Sequence, residues 1–286
     1  MKKFILFLFM LCELVFAQKQ GLPQKFSVVT FGIDKYQDNW LEKWDGGVRG
    51  AENLASTMEK NIGKLYPSIN FSKKYYNNEN GRYSTFMSNN TENYNFLYYH
   101  GHGGPNRICM WDNDKRVWND DKKFGTKGTY WVMLVSCNVF RYDNLTDQNL
   151  WFDGVHSILG FGSIVWGGEN TRKCGVFNLK TCHHYSSDME EDFAERWIKG
   201  KETIWSAFKN AVYNQLYAFG SKYSRAWYQK GVIPKIVYRY GNINGKYFEP
   251  WQEKFEEAYQ GPIFRTNCSG TGSRWNVMGE PVYAKP

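Results

Sequence analysis

The sequence predicts an α/β fold: a mainly parallel, six-stranded sheet in three layers, with helices on both faces. Three observations carry this expectation. Six short apolar runs, rich in β-branched and aromatic residues, are bounded by Gly or polar turn residues, as buried strands are. Amphipathic helical patterns fall between several of these runs, and strands separated by helices build parallel sheets. The chain has 286 residues, enough for a full core without disulfide support.

The first seventeen residues stand apart from that fold. Lys2-Lys3 is a basic start, residues 4–11 are apolar, and Ala17 supplies a small residue before Gln18. This pattern reads as a secretory signal peptide over 1–17. Glu13 interrupts the apolar run, which is too short to anchor in a bilayer. Lipidation at Cys12 is disfavoured, because Leu11 is not a small residue. The expected destination is secreted or periplasmic, with no membrane anchor after cleavage. The α/β domain is expected over 22–240, and 241–286 as a C-terminal extension packed on it or following it.

In chain order, residues 26–33 read as the first strand and 34–39 as a polar turn. Val48, Ala51, Leu54, Ala55, Met58 and Ile62 recur at helical spacing, with Gly63 as the expected stop. A weaker strand is expected near 69–76, then a turn-rich stretch to residue 90. Residues 96–99 and 130–135 are the central strands, joined by a polar loop of roughly two dozen residues. A short helix is expected over 151–159, a strand over 161–166 and a loop over 171–185. Ser187-Asp188-Met189-Glu190 fits a capping box opening a helix that Gly200 ends. Ile204, Phe208, Val212, Leu216 and Phe219 mark the next helix. Residues 233–240 read as the last strand, with Pro234 at an edge or an end, and 252–259 as a helix.

Composition excludes little and points weakly. Signal cleavage removes two lysines and one glutamate, taking the formal charge from +8 to +7. The basic residues are scattered and match no nucleic-acid motif, so no nucleic-acid partner is expected. Aromatic content is 18%, which favours core and loop packing over sugar stacking. Five cysteines remain after cleavage, and an odd number leaves at least one unpaired within the chain. Cys174 and Cys182 are close enough in sequence for a small-loop disulfide, with a zinc site involving His183 and His184 as the alternative.

The chemistry sits where the central strands end. The first runs into His100-Gly101-His102-Gly103-Gly104, the second into Ser136-Cys137-Asn138. In open α/β sheets, reactive groups collect at the carboxyl ends of strands. A thiol and an imidazole brought together there make a nucleophile and base. Alternatives stay open at this point. Cys137 alone reads as a buried inert thiol. His100 and His102 have the spacing of some zinc ligands. Asp112-Asn113-Asp114 reads as a solvated turn more readily than as a calcium loop.

Residues 31–38, Leu41 and Gly46-Gly47-Val48-Arg49-Gly50-Ala51 resemble the opening of caspase-like peptidases of the bacterial caspase, metacaspase and gingipain group. Residues 96–103 resemble that group's aromatic strand ending in Ser-Gly-His-Gly, and 132–137 its next strand ending in the catalytic cysteine. The separation of 35 residues from His102 to Cys137 suits the resemblance, which spans about residues 26–240. It implies a caspase-like sandwich and an endopeptidase acting on peptide or protein substrates, without cofactor or metal. His102 would be the acid/base and Cys137 the nucleophile, with Gly103 and Cys137 N–H groups as the oxyanion hole. Asp34, after the first strand, would contact a basic P1 side chain. Val135 and Asn138 stand where metacaspases carry an acid and a histidine, and Gly50 where an aspartate is familiar. The run 151–160 is closer to a poorly characterised bacterial branch. The alternative functions are an inactive caspase-like secreted binding protein, or a metal hydrolase using His100 and His102.

Overall fold

The computed structural model describes residues 22–44, 46–141, 151, 153–163, 165, 169–174, 180–185, 188–219, 232–239, 241–243, 246–257 and 275–279. The large sheet is built from β1 (Lys25–Gly32), β2 (Asn70–Asn77), β3 (Phe96–His100), β7 (Trp131–Val135), β8 (Ser157–Phe161), β11 (Pro234–Arg239) and β14 (Trp275–Gly279). Its order is β14-β11-β8-β7-β3-β1-β2. Strands β2, β1, β3, β7 and β8 run parallel to their neighbours, while β11 lies antiparallel to β8 and β14 antiparallel to β11. These are the six expected strands plus a seventh, added at one edge by the C-terminal extension.

Alternation along each strand splits the core into two. Phe26, Val28, Phe96, Tyr98, Trp131 and Met133 face helices α1 (Gly47–Leu65), α3 (Asp188–Ala194) and α4 (Ile204–Phe219). Val29, Phe31, Leu97, Tyr99, Val132 and Leu134 face the opposite layer. There the cover is the short helix α2 (Tyr83–Met87), loops, and a small sheet of β4 (Gly103–Gly104), β5 (Arg107–Cys109) and β6 (Arg116–Trp118). Full helices therefore lie on one face and a single short helix on the other, among the described residues.

The extension closes the core on the helical face. The Glu253 carboxylate accepts the Trp131 indole N–H at 2.7 Å and lies 3.1 Å from His156 Nδ1. The Phe255 ring sits edge-on to Phe26 at 5.1 Å. A separate C-terminal body would leave that carboxylate and ring without these partners.

Several local expectations are corrected. The fifth strand is Ser157–Phe161, not 161–166, and the expected helix over 151–159 gives way to it. Both stretches are short apolar runs, which periodicity alone cannot separate. The polar segment between the histidines and Cys137 holds β4–β6, strands too short to show an alternating pattern. Of the loop expected over 171–185, residues 171–174 and 180–185 are strand: β9 (Glu169–Cys174) and β10 (Lys180–Tyr185) pair antiparallel, and 175–179 lie outside the described residues. Helix α1 passes Gly63, whose open surroundings tolerate either residue, and ends at Leu65 before non-helical Tyr66. The expected helix over 252–259 is two 3₁₀ turns, Pro250–Gln252 and Phe255–Glu257.

Candidate active site

Strands β3 and β7 are parallel and pair His100 with Val135. His102 and Cys137 each follow two residues later, beyond the carboxyl ends of these neighbouring strands. The Gly101 N–H still donates to the Val135 carbonyl at 3.2 Å, so the two chains part only after this bond.

The two histidines enter different surroundings. His100 is the last strand residue and is 1% exposed. Its Nδ1 lies 2.8 Å from the Tyr98 hydroxyl and 3.0 Å from Glu190 Oε1. A Cβ on Gly50 would stand 2.7 Å from that nitrogen, so glycine there lets α1 close over the cluster. Glu190 was expected as a capping-box residue. Its carboxylate instead turns inward from α3 and accepts the Tyr98 hydroxyl at 2.5 Å.

His102 is half-buried, past the bend at Gly101. Its ring packs edge-on to Trp44 at 4.7 Å and tilted against Tyr36 at 5.3 Å. Its Nε2 lies 2.9 Å from the Glu42 carbonyl. A carbonyl only accepts, so in the neutral ring Nε2 carries the proton and Nδ1 keeps the lone pair. Burial lowers the His102 pKa, outweighing the nearby Glu42 groups that raise it. The neutral imidazole therefore prevails at physiological pH.

The Cys137 thiol donates to the Val165 carbonyl at 3.2 Å and accepts the Val165 N–H at 3.4 Å. Burial pushes its pKa up, against a lowering contribution from the Val165 N–H. Among the described residues no hydrogen bond joins His102 to Cys137. Burial thus favours the neutral form of both groups, the thiol and the imidazole.

The β4–β5 hairpin pairs Gly103 with Ile108, and the Cys109 N–H donates to the His102 carbonyl at 2.9 Å. Antiparallel pairs alternate between bonded and non-bonded. With 102 and 109 bonded, the Gly103 N–H points out of the hairpin. A Cβ on Gly103 would meet Ser136 Oγ at 2.0 Å, so this glycine lies directly against the residue before Cys137. Only glycine permits that approach.

Asp34 takes another role. Its Oδ1 accepts the N–H groups of Gly47 at 2.6 Å and Val48 at 3.2 Å, capping α1. At 112–114 a turn is found: the Asp112 carboxylate accepts the Tyr83 N–H, and Asp114 pairs with Arg116 at 2.9 Å. Among the described residues no group of three or more His, Cys, Asp or Glu converges as a metal centre requires. Cys109 is free and buried, its thiol pushed up to about 11, chiefly by desolvation.

In the β9–β10 hairpin, Cys174 pairs with Lys180 and Cys182 with Arg172. The two cysteines are therefore diagonal neighbours. Diagonal residues sit about 7–8 Å apart, at or beyond the reach of a disulfide. The side chains of Cys174, Cys182, His183 and His184 lie outside the described residues.

Sequence reasoning missed Tyr36, Tyr99, Glu42, Glu190 and Val165. Glu42 and Val165 act through backbone atoms, which carry no residue-type signal. Glu190 had one sign: a carboxylate beside Met189 on the apolar face of its helix.

The fold is similar to a crystal structure of caspase-1 from Spodoptera frugiperda, at 12% identity and a TM-score of 0.42, covering 73% of this chain and 85% of that one. It is also similar to a structure titled pro-sf-caspase-1, at 11% identity and a TM-score of 0.40, covering 70% and 83%. No curated protein matches the chain. A family model described as a domain of unknown function, DUF6345, matches residues 71–229, more than half of the sequence, and the chain is a member of that family.

Proposed function

We propose that this protein is an exported cysteine endopeptidase in which His102 is the acid/base and Cys137 the nucleophile. One observation carries the reading: β3 and β7 are parallel neighbours paired up to His100 and Val135, so His102 and Cys137 each lie two residues beyond adjacent strand ends. The orientation of the imidazole supports it, since Nε2 is engaged by the Glu42 carbonyl and Nδ1 is left as the accepting atom.

The chemistry follows from these protonation states. A peptide carbonyl sits between Cys137 Sγ and the N–H groups of Gly103 and Cys137. As Sγ bonds to the carbonyl carbon, its proton passes to His102 Nδ1 and the oxyanion takes the two N–H donors. The C–N bond then breaks, and Nδ1 gives its proton to the departing amine. Water attacks the thioester, losing a proton to Nδ1, and Sγ recovers that proton as the acid leaves. The raised thiol pKa makes the general base necessary, because little thiolate exists beforehand. Substrate binding has to exchange the Val165 contact for the imidazole. Export rests on the pattern of residues 1–17.

A peptidyl electrophile, followed by mass spectrometry of the mature protein, tests the reading. Labelling at Cys137, lost in His102→Ala, is the expected result. Cleavage activity that persists in Cys137→Ala sinks it. The inactive-binding alternative draws on the Val165 contact that occupies the thiol. Absence of both cleavage and labelling across a broad peptide library decides for it.

A further inference from the structure

Three features set the backbone of His102, and the peptidase mechanism uses none of them. The His102 N–H donates to the Tyr36 hydroxyl at 2.7 Å. The Tyr99 hydroxyl donates to the His102 carbonyl at 2.8 Å. The two phenol groups are also hydrogen-bonded to each other. The Tyr99 hydroxyl also reaches the Cys109 carbonyl at 2.5 Å, so its one proton is shared between the two carbonyls that the small sheet brings together. The His102 N–H, in contrast, has the Tyr36 oxygen as its acceptor.

We propose that Tyr36 and Tyr99 are positioning residues that clamp the backbone of His102 from both sides, holding its imidazole for proton transfer at Nδ1. The proposal rests on the peptidase reading for its catalytic consequence. The clamp itself stands on the geometry. Tyr36 comes from the turn after β1 and Tyr99 from β3, so the two phenols tie the bend at Gly101 to two separate elements. Both phenols are buried, Tyr36 at 4% exposure and Tyr99 at 0%. Water is therefore a poor substitute partner, and chained hydrogen bonds in a dry site reinforce one another. Gly101 belongs to the device: a Cβ there would meet the Tyr99 hydroxyl at 2.6 Å and the Tyr36 hydroxyl at 2.9 Å. The glycine before the imidazole is thus required by the clamp as well as by the bend. Tyr36 also lays its ring against the imidazole, so the residue that holds the backbone also limits the side chain.

The test replaces each phenol by its isostere, Tyr36→Phe and Tyr99→Phe, singly and together, in the full mature chain. Both changes keep the rings and remove only the hydroxyls. The readout is the titration of the His102 ring by NMR on histidine-labelled protein, assigned against His102→Gln. It needs no substrate, so it stands or falls apart from the peptidase reading. Burial holds the His102 pKa down. A loosened ring gains solvent, so each single variant is expected to titrate higher, toward the ordinary histidine value. The Glu42 carboxylate, the charged group that acts on the ring, is unchanged in all variants. Exchange of the His102 amide should quicken two- to tenfold, the loss of about one hydrogen bond. The two phenols act on one residue and bond to each other, so the double variant should shift less than the sum of the two single ones. On an active peptidase, kcat falls while KM holds. Gly101→Ala supplies the same signature from the other side, should a phenol variant fold poorly. A lowered melting temperature with unchanged His102 titration assigns the phenols to packing alone and overturns the proposal. Fully additive shifts overturn the coupling between the two phenols.

Discussion

Glu190→Ala probes the junction beneath the site, where α3 meets β3. Glu190 Oε1 lies 3.0 Å from His100 Nδ1 and accepts the Tyr98 hydroxyl. Glu190 and Tyr98 are 0% exposed and His100 1%, so no solvent replaces a deleted partner. Deleting the carboxylate leaves the Tyr98 hydroxyl only His100 Nδ1, 2.8 Å away, in a site that water does not reach, at a cost of about 1–3 kcal/mol. At about 2–4 °C per kcal/mol for a domain of this size, the melting temperature should fall by about 2–12 °C. Glu190→Gln keeps the shape and an acceptor for Tyr98, so its loss should be smaller. Urea denaturation of the three proteins measures both. A loss below about 1 kcal/mol in Glu190→Ala would falsify the claim that this cluster is dry and held together by the Glu190 carboxylate.

Three further outcomes follow from the same geometry. His102→Ala should lower kcat/KM by about 10²–10⁴-fold, the usual contribution of a general base. His100→Ala should lose much less activity but more stability; the reverse pattern means the register is wrong by two residues. Burial raises the Cys137 pKa and lowers that of His102. Iodoacetamide labelling of Cys137 should therefore rise through the alkaline range above about pH 8.5, and the acid limb of kcat/KM should fall below about pH 6.5. A labelling plateau near neutrality would reveal a thiolate–imidazolium pair instead. Asp34→Ala removes the cap from α1, so it should cost about 0.5–2 kcal/mol of stability, with cleavage of Lys and Arg substrates no more affected than that of others.

What was legible in the sequence is what repeats. The buried strands 26–33, 96–99 and 130–135 and the long helices declared themselves by apolar runs and by helical spacing. The His102 and Cys137 motifs were legible because each follows such a run directly. Strand Ser157–Phe161 was misplaced because two apolar runs lie side by side with only Gly160 and Gly162 to part them. The β4–β6 sheet was missed because strands of two or three residues have no period to read. Strand β14 lies far from its partner in sequence, and nothing local announces such a pairing. Asp34 was read as a substrate contact because it follows β1 at the expected end of the sheet. The same position also faces the N-terminus of α1, where backbone donors claim a carboxylate first. Backbone partners such as Glu42 and Val165 carry no letter code at all.

The run Tyr98-Tyr99-His100-Gly101-His102 shows how one strand serves two layers. Tyr98 and His100 point to the helical face, where Glu190 joins them to α3. Tyr99 points to the opposite face, where its hydroxyl reaches the carbonyls of His102 and Cys109. Period-two alternation forces this division, so two adjacent tyrosines cannot substitute for one another. One anchors the strand end to the helices, and the other anchors the bend to the small sheet. His102 lies beyond both anchors and inherits its position from each. A change at Glu190 should therefore reach His102 only indirectly, through β3 and the Trp44 ring that packs on both histidines, lowering stability before it alters the imidazole. A change at Tyr36 or Tyr99 should alter the imidazole first. The order in which stability and His102 titration respond separates the two faces of the strand.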